Sequence, residues 1–90
     1  MSRTPRQLER VVKGFANHRR VQIMSLLETE PELSVSGISS RLNTDISTAS
    51  AHVIRLTTAG LVLERSEGRR VRHRLTRRAE WILTFLRILE

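Results

Sequence analysis

The chain has 90 residues, a length that fits one small domain over residues 1–90, with 16 Lys+Arg against 9 Asp+Glu and a formal charge of +7. Such a chain buries only about two thirds of the surface its unfolded form exposes, which argues against a deep catalytic cleft and favours help from a second subunit. Absence of cysteine removes disulfides, thiolate metal sites and thiol redox switching, and no apolar run approaches a membrane span or the core of a signal peptide, so a cytoplasmic protein with no membrane partner is expected.

Thr4-Pro5-Arg6-Gln7 opens a first helix of about ten residues, with Thr4 as N-cap, Pro5 in the first turn and Gln7 placed to close a capping box. Leu8, Val11, Val12 and Phe15 follow at i, i+3, i+4 and i+7, and Gly14 weakens the end. Asn17 caps a second helix whose face of Ile23, Met24 and Leu27 is widened by Val21 and Leu26, until Pro31 stops it. Ser34 starts a short third helix with Val35, Ile38 and Leu42 toward a core. Asn43 and Thr44 turn the chain, and Asp45 caps a fourth helix reaching about Ala59, with Gly60 at a left-handed C′ position. Two helices joined so tightly form a helix-turn-helix unit.

Strand character follows. Residues 61–65 and 71–75 flank the turn Ser66-Glu67-Gly68-Arg69, and in the second arm Val71, His73 and Leu75 are expected inward while Arg70, Arg72 and Arg74 point outward. Thr76 caps a last helix, where Ile82, Phe85, Leu86 and Leu89 form a stripe that Trp81 and Ile88 make wider than so small a core needs. The fold class expected is mainly α, about five helices with a two-stranded β-wing.

Charge is polarised. The first twenty residues carry six basic side chains against Glu9, and residues 64–78 carry seven arginines against Glu64 and Glu67. Two basic poles point to a polyanion, most simply nucleic acid. All basic residues but Lys13 are arginine, which suits bidentate phosphate contacts and equally reflects genome composition. On the fourth helix, Ala49, His52, Val53 and Leu56 gather on one side. Ser47, Ser50, Ala51, Ile54, Arg55 and Thr58 gather on the other, a face with small and hydroxylated side chains and no acid, as a helix entering a major groove requires. His18, His52 and His73 are too scattered for a metal or catalytic site, and His52 and His73 read as hydrogen-bonded packing residues. Glu28, Glu30 and Glu32 read as an exposed helix end and loop. No nucleophile motif or phosphate loop is present, and no enzyme activity is assigned. Arg77 and Arg78 stand in the first turn of the last helix, against its dipole, from phosphate contact or simple continuation of the basic surface.

Three segments together resemble the ArsR-type (arsenic-repressor-like) winged helix-turn-helix regulators: residues 15–27, residues 47–53 continued by Leu56-Thr57-Thr58-Ala59-Gly60-Leu61-Val62, and the hairpin Glu67-Gly68-Arg69-Arg70-Val71-Arg72-His73-Arg74-Leu75-Thr76. The resemblance implies that the third and fourth helices form a DNA-reading unit, the fourth lying in the major groove with the wing on the neighbouring backbone, and that the first and last helices pair two subunits. One departure is clear. Metal-sensing members carry Cys-Val-Cys-Asp where this chain has Ser34-Val35-Ser36-Gly37, and the last helix offers only Glu80 and Glu90. Neutral serine is a poor ligand for soft metals, so no metal and no cofactor is expected.

The expected function is therefore that of a homodimeric, sequence-specific regulator of transcription on duplex DNA, with no inducer identifiable from the residues. Arg41, Arg55, Arg69, Arg70, Arg72 and Arg74 would contact the backbone; Ser47, Thr48, Ser50, Ala51 and Ile54 would face the bases. Leu8, Val12, Phe15, Trp81, Phe85, Ile88 and Leu89 would form the dimer seam. The alternatives are a winged-helix module that binds protein or structured RNA. Single-strand stacking is disfavoured, because the only aromatic residues, Phe15, Trp81 and Phe85, lie on apolar stripes.

Overall fold

In the computed structural model, which describes residues 2–90, the element order is α1 (Pro5–Phe15), α2 (His18–Thr29), α3 (Val35–Leu42), α4 (Ile46–Thr58), β1 (Val62–Glu67), β2 (Arg70–Leu75) and α5 (Arg77–Ile88). Each helix begins at the polar residue expected to cap it. Thr4 and Gln7 close a reciprocal capping box, and Asn17, Ser34, Asp45 and Thr76 accept backbone N–H groups in the first turns of the following helices. Asn43 takes the left-handed conformation that ends α3, at φ 52°, and Gly60 does so after α4, at φ 74°. The strands pair antiparallel from Val62 opposite Leu75 to Glu67 opposite Arg70. The loop is tighter than the sequence indicates: only Gly68 and Arg69 connect the strands, with Gly68 at φ 62° in the first central position, as a type II′ hairpin turn demands.

The core is built from Ile23, Met24 and Leu27 of α2, Ile38 of α3, Ala49, Val53 and Leu56 of α4, Leu61 and Val62, and Ala79 and Leu83 of α5. Helices α2, α3 and α4 thus bury the sides their periodicity indicates, whereas the apolar stripes of α1 and α5 are divided differently. On α1, Val11 and Phe15 pack on the core while Leu8 and Val12 stay exposed. Phe15, expected in the dimer seam, therefore covers its own subunit's core. On α5 the buried line is Ala79 and Leu83, with Ile82 partly covered and Phe85 and Leu89 facing out. Val71, expected inward, is exposed, because the hairpin tip projects beyond anything that could cover it.

What aligns these elements is the corner at the end of α4. The carbonyl of Ala59 accepts from Arg78 Nη1 (3.1 Å), that of Gly60 from Thr76 Oγ1 (2.9 Å), and that of Leu61 from Thr76 N (3.1 Å). Three successive orphan acceptors are thereby satisfied by the residues that open α5. Gly14 reaches the same corner from α1: a Cβ placed on it would overlap Ala59 Cβ, so glycine permits the close crossing of α1 over the end of α4. Gly14→Ala is expected to destabilise the fold by about 1–3 kcal/mol through overpacking. Adding Ala59→Gly should recover much of that loss. Urea unfolding of the two singles and the double is the check, and additive losses would contradict the contact.

Candidate nucleic-acid interface

The outer side of α4 starts from its cap. Asp45 Oδ1 accepts the Thr48 backbone N–H (2.8 Å) and the Ser47 hydroxyl (2.7 Å), while Oδ2 accepts the Thr48 hydroxyl (2.8 Å). Hydrogen bonding, that from Ser47 first, holds the Asp45 carboxyl down to about 2, so it is ionised throughout the neutral range. The face expected to carry no acid thus begins at a carboxylate, whose lone pairs are occupied by its own helix. Beyond it Ala51, Ile54, Arg55 and Thr58 are exposed and Ser50 is half-buried. Ile54, 58% exposed in the middle of this face, is an apolar side chain that the subunit itself does not cover.

The wing is anchored through a loop residue that the sequence reading treats as solvent-exposed. Glu32, at φ 71°, pairs through its carboxylate with Arg65 and, at 4.0 Å, with Arg74, and its carbonyl accepts from Arg72 Nη1 (3.1 Å). Next to it Leu33 forms a β-bridge with His73: His73 N donates to Leu33 O (3.0 Å), Glu32 N donates to His73 O (2.9 Å), and His73 Nδ1–H donates to Leu33 O (2.9 Å). Arg72 Nε also pairs with Glu67 (2.9 Å). Glu30 binds Arg41 (3.0 Å), and Glu28 binds Arg87. The three glutamates that follow α2 or end it are therefore arginine clamps, a role invisible in the sequence because their partners lie far along the chain. Of the arginines expected to contact a DNA backbone, Arg41 pairs with Glu30, Arg72 with Glu67 and Arg74 with Glu32. Arg55, Arg69 and Arg70 have no acidic partner among the described residues.

The helix face and the wing look the same way. Ser50 and Ile54 of α4, Ser34 and Ser36 at the start of α3, and Arg69, Arg70 and Arg72 of the wing line one open concavity of about 780 Å³. Ser34 uses its hydroxyl oxygen to accept the Gly37 N–H (3.1 Å) as helix cap. Among the described residues no group of three or more His, Cys, Asp or Glu side chains is placed to hold a metal ion, and none of the described helices is long and apolar enough to cross a membrane.

Two further expectations need revision. His52 is half-buried with no hydrogen-bond partner among the described residues, unlike His73; burial first, then Arg20, Arg19 and His18, push it below the usual histidine range. Arg78 has a partner that neither reading of it named: it caps the carboxyl end of α4 at Ala59, where helix carbonyls favour a cation. Sequence reasoning also missed Arg20, whose Nη1 reaches Lys13 O and Gly14 O (3.0 Å each) and caps α1 in the same manner.

A helix-turn-helix flanked by a two-stranded wing defines the class: this is a winged helix-turn-helix. Residues 17–63 match the model of the family described as bacterial regulatory protein, arsR family. The chain is 41% identical over 69 residues to the HTH-type transcriptional regulator Rv0324 of Mycobacterium tuberculosis, covering 77% of this chain and 30% of that protein. It is 41% identical over 66 residues to the transcriptional activator HlyU of Vibrio cholerae, covering 73% of this chain and 60% of that one. The chain thus spans less than two thirds of either curated relative. Among solved structures, a homodimeric winged helix-turn-helix DNA-binding domain from Mycobacterium bovis, described as a possible ArsR-family regulator, superposes with a TM-score of 0.83 at 30% identity, covering 99% of this chain and 88% of that one. HlyU from Vibrio cholerae superposes with a TM-score of 0.82 at 33% identity, covering 99% and 97%. The chain belongs to the arsR family of bacterial regulatory proteins.

Acid should loosen the wing before the core. Glu32 is held below the usual carboxylate range chiefly by the hydrogen bond from Arg65, and Glu67 chiefly by that from Arg72. A lowered folded-state pKa means that the tether is complete above the ordinary value of 4.5 and is lost as the pH falls through the lowered one. Amide hydrogen exchange in residues 62–75 should lose protection on acidification from pH 6 to about 3. Glu32→Gln should flatten that response; an unchanged acid response in the variant would contradict the assignment.

Proposed function

We propose that the chain binds duplex DNA sequence-specifically as a homodimer, with α4 in the major groove and the wing on the adjoining backbone. The observation that carries this reading is the concavity shared by Ser50 and Ile54 of α4 with the arginines of the wing, two of which, Arg69 and Arg70, lack acidic partners among the described residues. A helix face that allows close approach and a set of uncommitted cations are thereby offered to one polyanion.

The hydrogen bonding of Asp45 gives the reading face a definite polarity. An ionised carboxylate only accepts, so Ser47 and Thr48 both donate their hydroxyl protons to it, and their oxygens turn to the groove as acceptors. Acceptors meet the exocyclic amines of adenine N6 and cytosine N4 rather than guanine O6 or N7. Ser50 adds a third hydroxyl, and Ala51 and Ile54 supply apolar contact of the kind a thymine methyl takes. Arg55, Arg69 and Arg70 neutralise phosphates. Arg41, Arg72 and Arg74 act through position, holding α3 and the wing in place by their acidic partners.

Leu8 and Val12 of α1 with Trp81, Phe85, Ile88 and Leu89 of α5 expose an apolar surface, Trp81 at 68% and Ile88 at 74%. A surface of this kind is what a second copy would cover, and the homodimeric state of the Mycobacterium bovis domain supports that partner. Phe15 backs the seam from the core side. A twofold pair of reading helices sets half-sites about 34 Å or a multiple of it apart, so the DNA target is an inverted repeat. The serine cap at the start of α3 supports a regulator that does not sense metal through that position.

Selection from random duplexes followed by fluorescence anisotropy at several salt concentrations tests the reading. Arg69→Gln with Arg70→Gln removes four charges per dimer and should flatten the slope of log affinity against log salt by about 3.6, equally on selected and random DNA. Asp45→Asn keeps the Oδ1 acceptor for the Thr48 N–H and the Ser47 hydroxyl but sets an NH2 donor against the Thr48 hydroxyl, which is then free to donate, so it should relax base preference at the position under Thr48 while sparing random DNA. An unchanged salt slope in the first variant, or an unchanged selected sequence in the second, contradicts the corresponding part. Phe85→Glu should give monomers at micromolar concentration by light scattering with helicity retained; a dimer that persists would exclude the seam.

A further inference from the structure

A second concavity, of about 680 Å³, lies on the other flank of α4, between α1, the end of α4 and the start of α5. Its cationic wall comprises Arg3, Arg10, Lys13, Arg20, Arg55 and Arg78, and no acidic side chain lines it. Two helix carboxyl ends meet there, those of α1 and α4, which by themselves would favour cations. Arg20 and Arg78 reverse that bias by covering the carbonyls of Lys13, Gly14 and Ala59. Arg20 Nε is also buried without a partner. Lys13 is shared loosely with Glu9 at 3.7 Å, while Arg3, Arg10 and Arg55 have no acidic partner among the described residues.

At about 100° per residue along α4, Ser50 and Ile54 fall toward the wing, whereas Arg55 falls toward α1. The exposed ridge of α4 therefore runs between two basic walls. A major groove that admits a helix is bounded by the phosphates of two strands, one on each side. Arg3, just ahead of the N-cap of α1, and Arg10, within the helix, both line this wall, an arrangement that suits a row of phosphates rather than one small anion.

We propose that this concavity is a second phosphate-binding surface, in which Arg3, Arg10 and Arg55 take the wall of the major groove opposite the wing. The proposal rests on the duplex reading above, and it assigns Arg3 and Arg10 a role that the wing does not share.

The test compares the wild-type chain, Arg3→Gln with Arg10→Gln, and Arg69→Gln with Arg70→Gln on selected and random duplexes, with circular dichroism to confirm the fold. The Arg3/Arg10 variant should lose about 3.6 from the salt slope on both duplexes, and Arg3→Lys with Arg10→Lys should restore most of it. Duplexes carrying single methylphosphonates then locate the contacts. Neutral phosphates on one wall should cease to matter in the Arg3/Arg10 variant, and those on the other wall in the Arg69/Arg70 variant. An unchanged slope in the Arg3/Arg10 variant beside a reduced one in the wing variant overturns this proposal alone, as does loss of sensitivity at the same phosphates in both. Thermal stabilisation by inorganic pyrophosphate that the Arg3/Arg10 variant lacks, with its duplex binding intact, would make the site one for a free oxyanion and also overturn it. Failure of the wild-type chain to bind any duplex overturns both readings.

Discussion

Three consecutive carbonyls at Ala59, Gly60 and Leu61 hold this structure in register. A helix that presents residues to a groove is useful only if its axis is set relative to everything else that touches the same partner. Here the end of α4 is tied to α5 through Thr76 and Arg78, to β1 by continuity, and to α1 by the Gly14 crossing. Each tie satisfies a backbone acceptor or permits a contact that a larger side chain would block, so the corner tolerates little adjustment. The wing inherits its direction from the same place, because only Leu61 separates the left-handed turn at Gly60 from β1.

The arginines divide into two populations by a simple electrostatic criterion, whether an acid or a helix carboxyl end lies within reach. Arg41, Arg65, Arg72, Arg74 and Arg87 meet glutamates, and Arg20 and Arg78 meet carbonyls. These ion pairs are largely exposed, so each contributes little to stability, yet Glu32 gathers three guanidinium groups on one residue and so orients the hairpin base. Among the arginines left without such a partner, Arg69 and Arg70 at the hairpin tip and Arg55, Arg3 and Arg10 across the helix border the two concavities where a polyanion would approach.

Helix α1 shows how one short element serves three partners. Val11 and Phe15 face the core, Leu8 and Val12 form an exposed apolar strip, and Arg10 borders the second concavity. In the proposed dimer, pairing through α1 and α5 would hold the cations of α1 against the duplex as well as set the distance between the two reading helices. Such coupling gives a route by which a change at the seam would be felt in DNA affinity, since the same rigid helix borders both.

The helix starts, the turn at Asn43, the left-handed stop at Gly60, the buried sides of α2, α3 and α4 and the existence of a basic hairpin were all legible in the amino-acid order, because capping, periodicity and turn chemistry act over a few residues. The grouping of Ser50 and Ile54 with the wing needed coordinates, as did the division of the α1 and α5 stripes between core and surface. The fates of individual arginines were decided at longer range still: Glu32 meets Arg65 and Glu28 meets Arg87 across separations of 33 and 59 residues. Local composition tells how many cations a segment carries. Which of them remain free depends on acids delivered by other segments, and that delivery is a property of the packed chain alone.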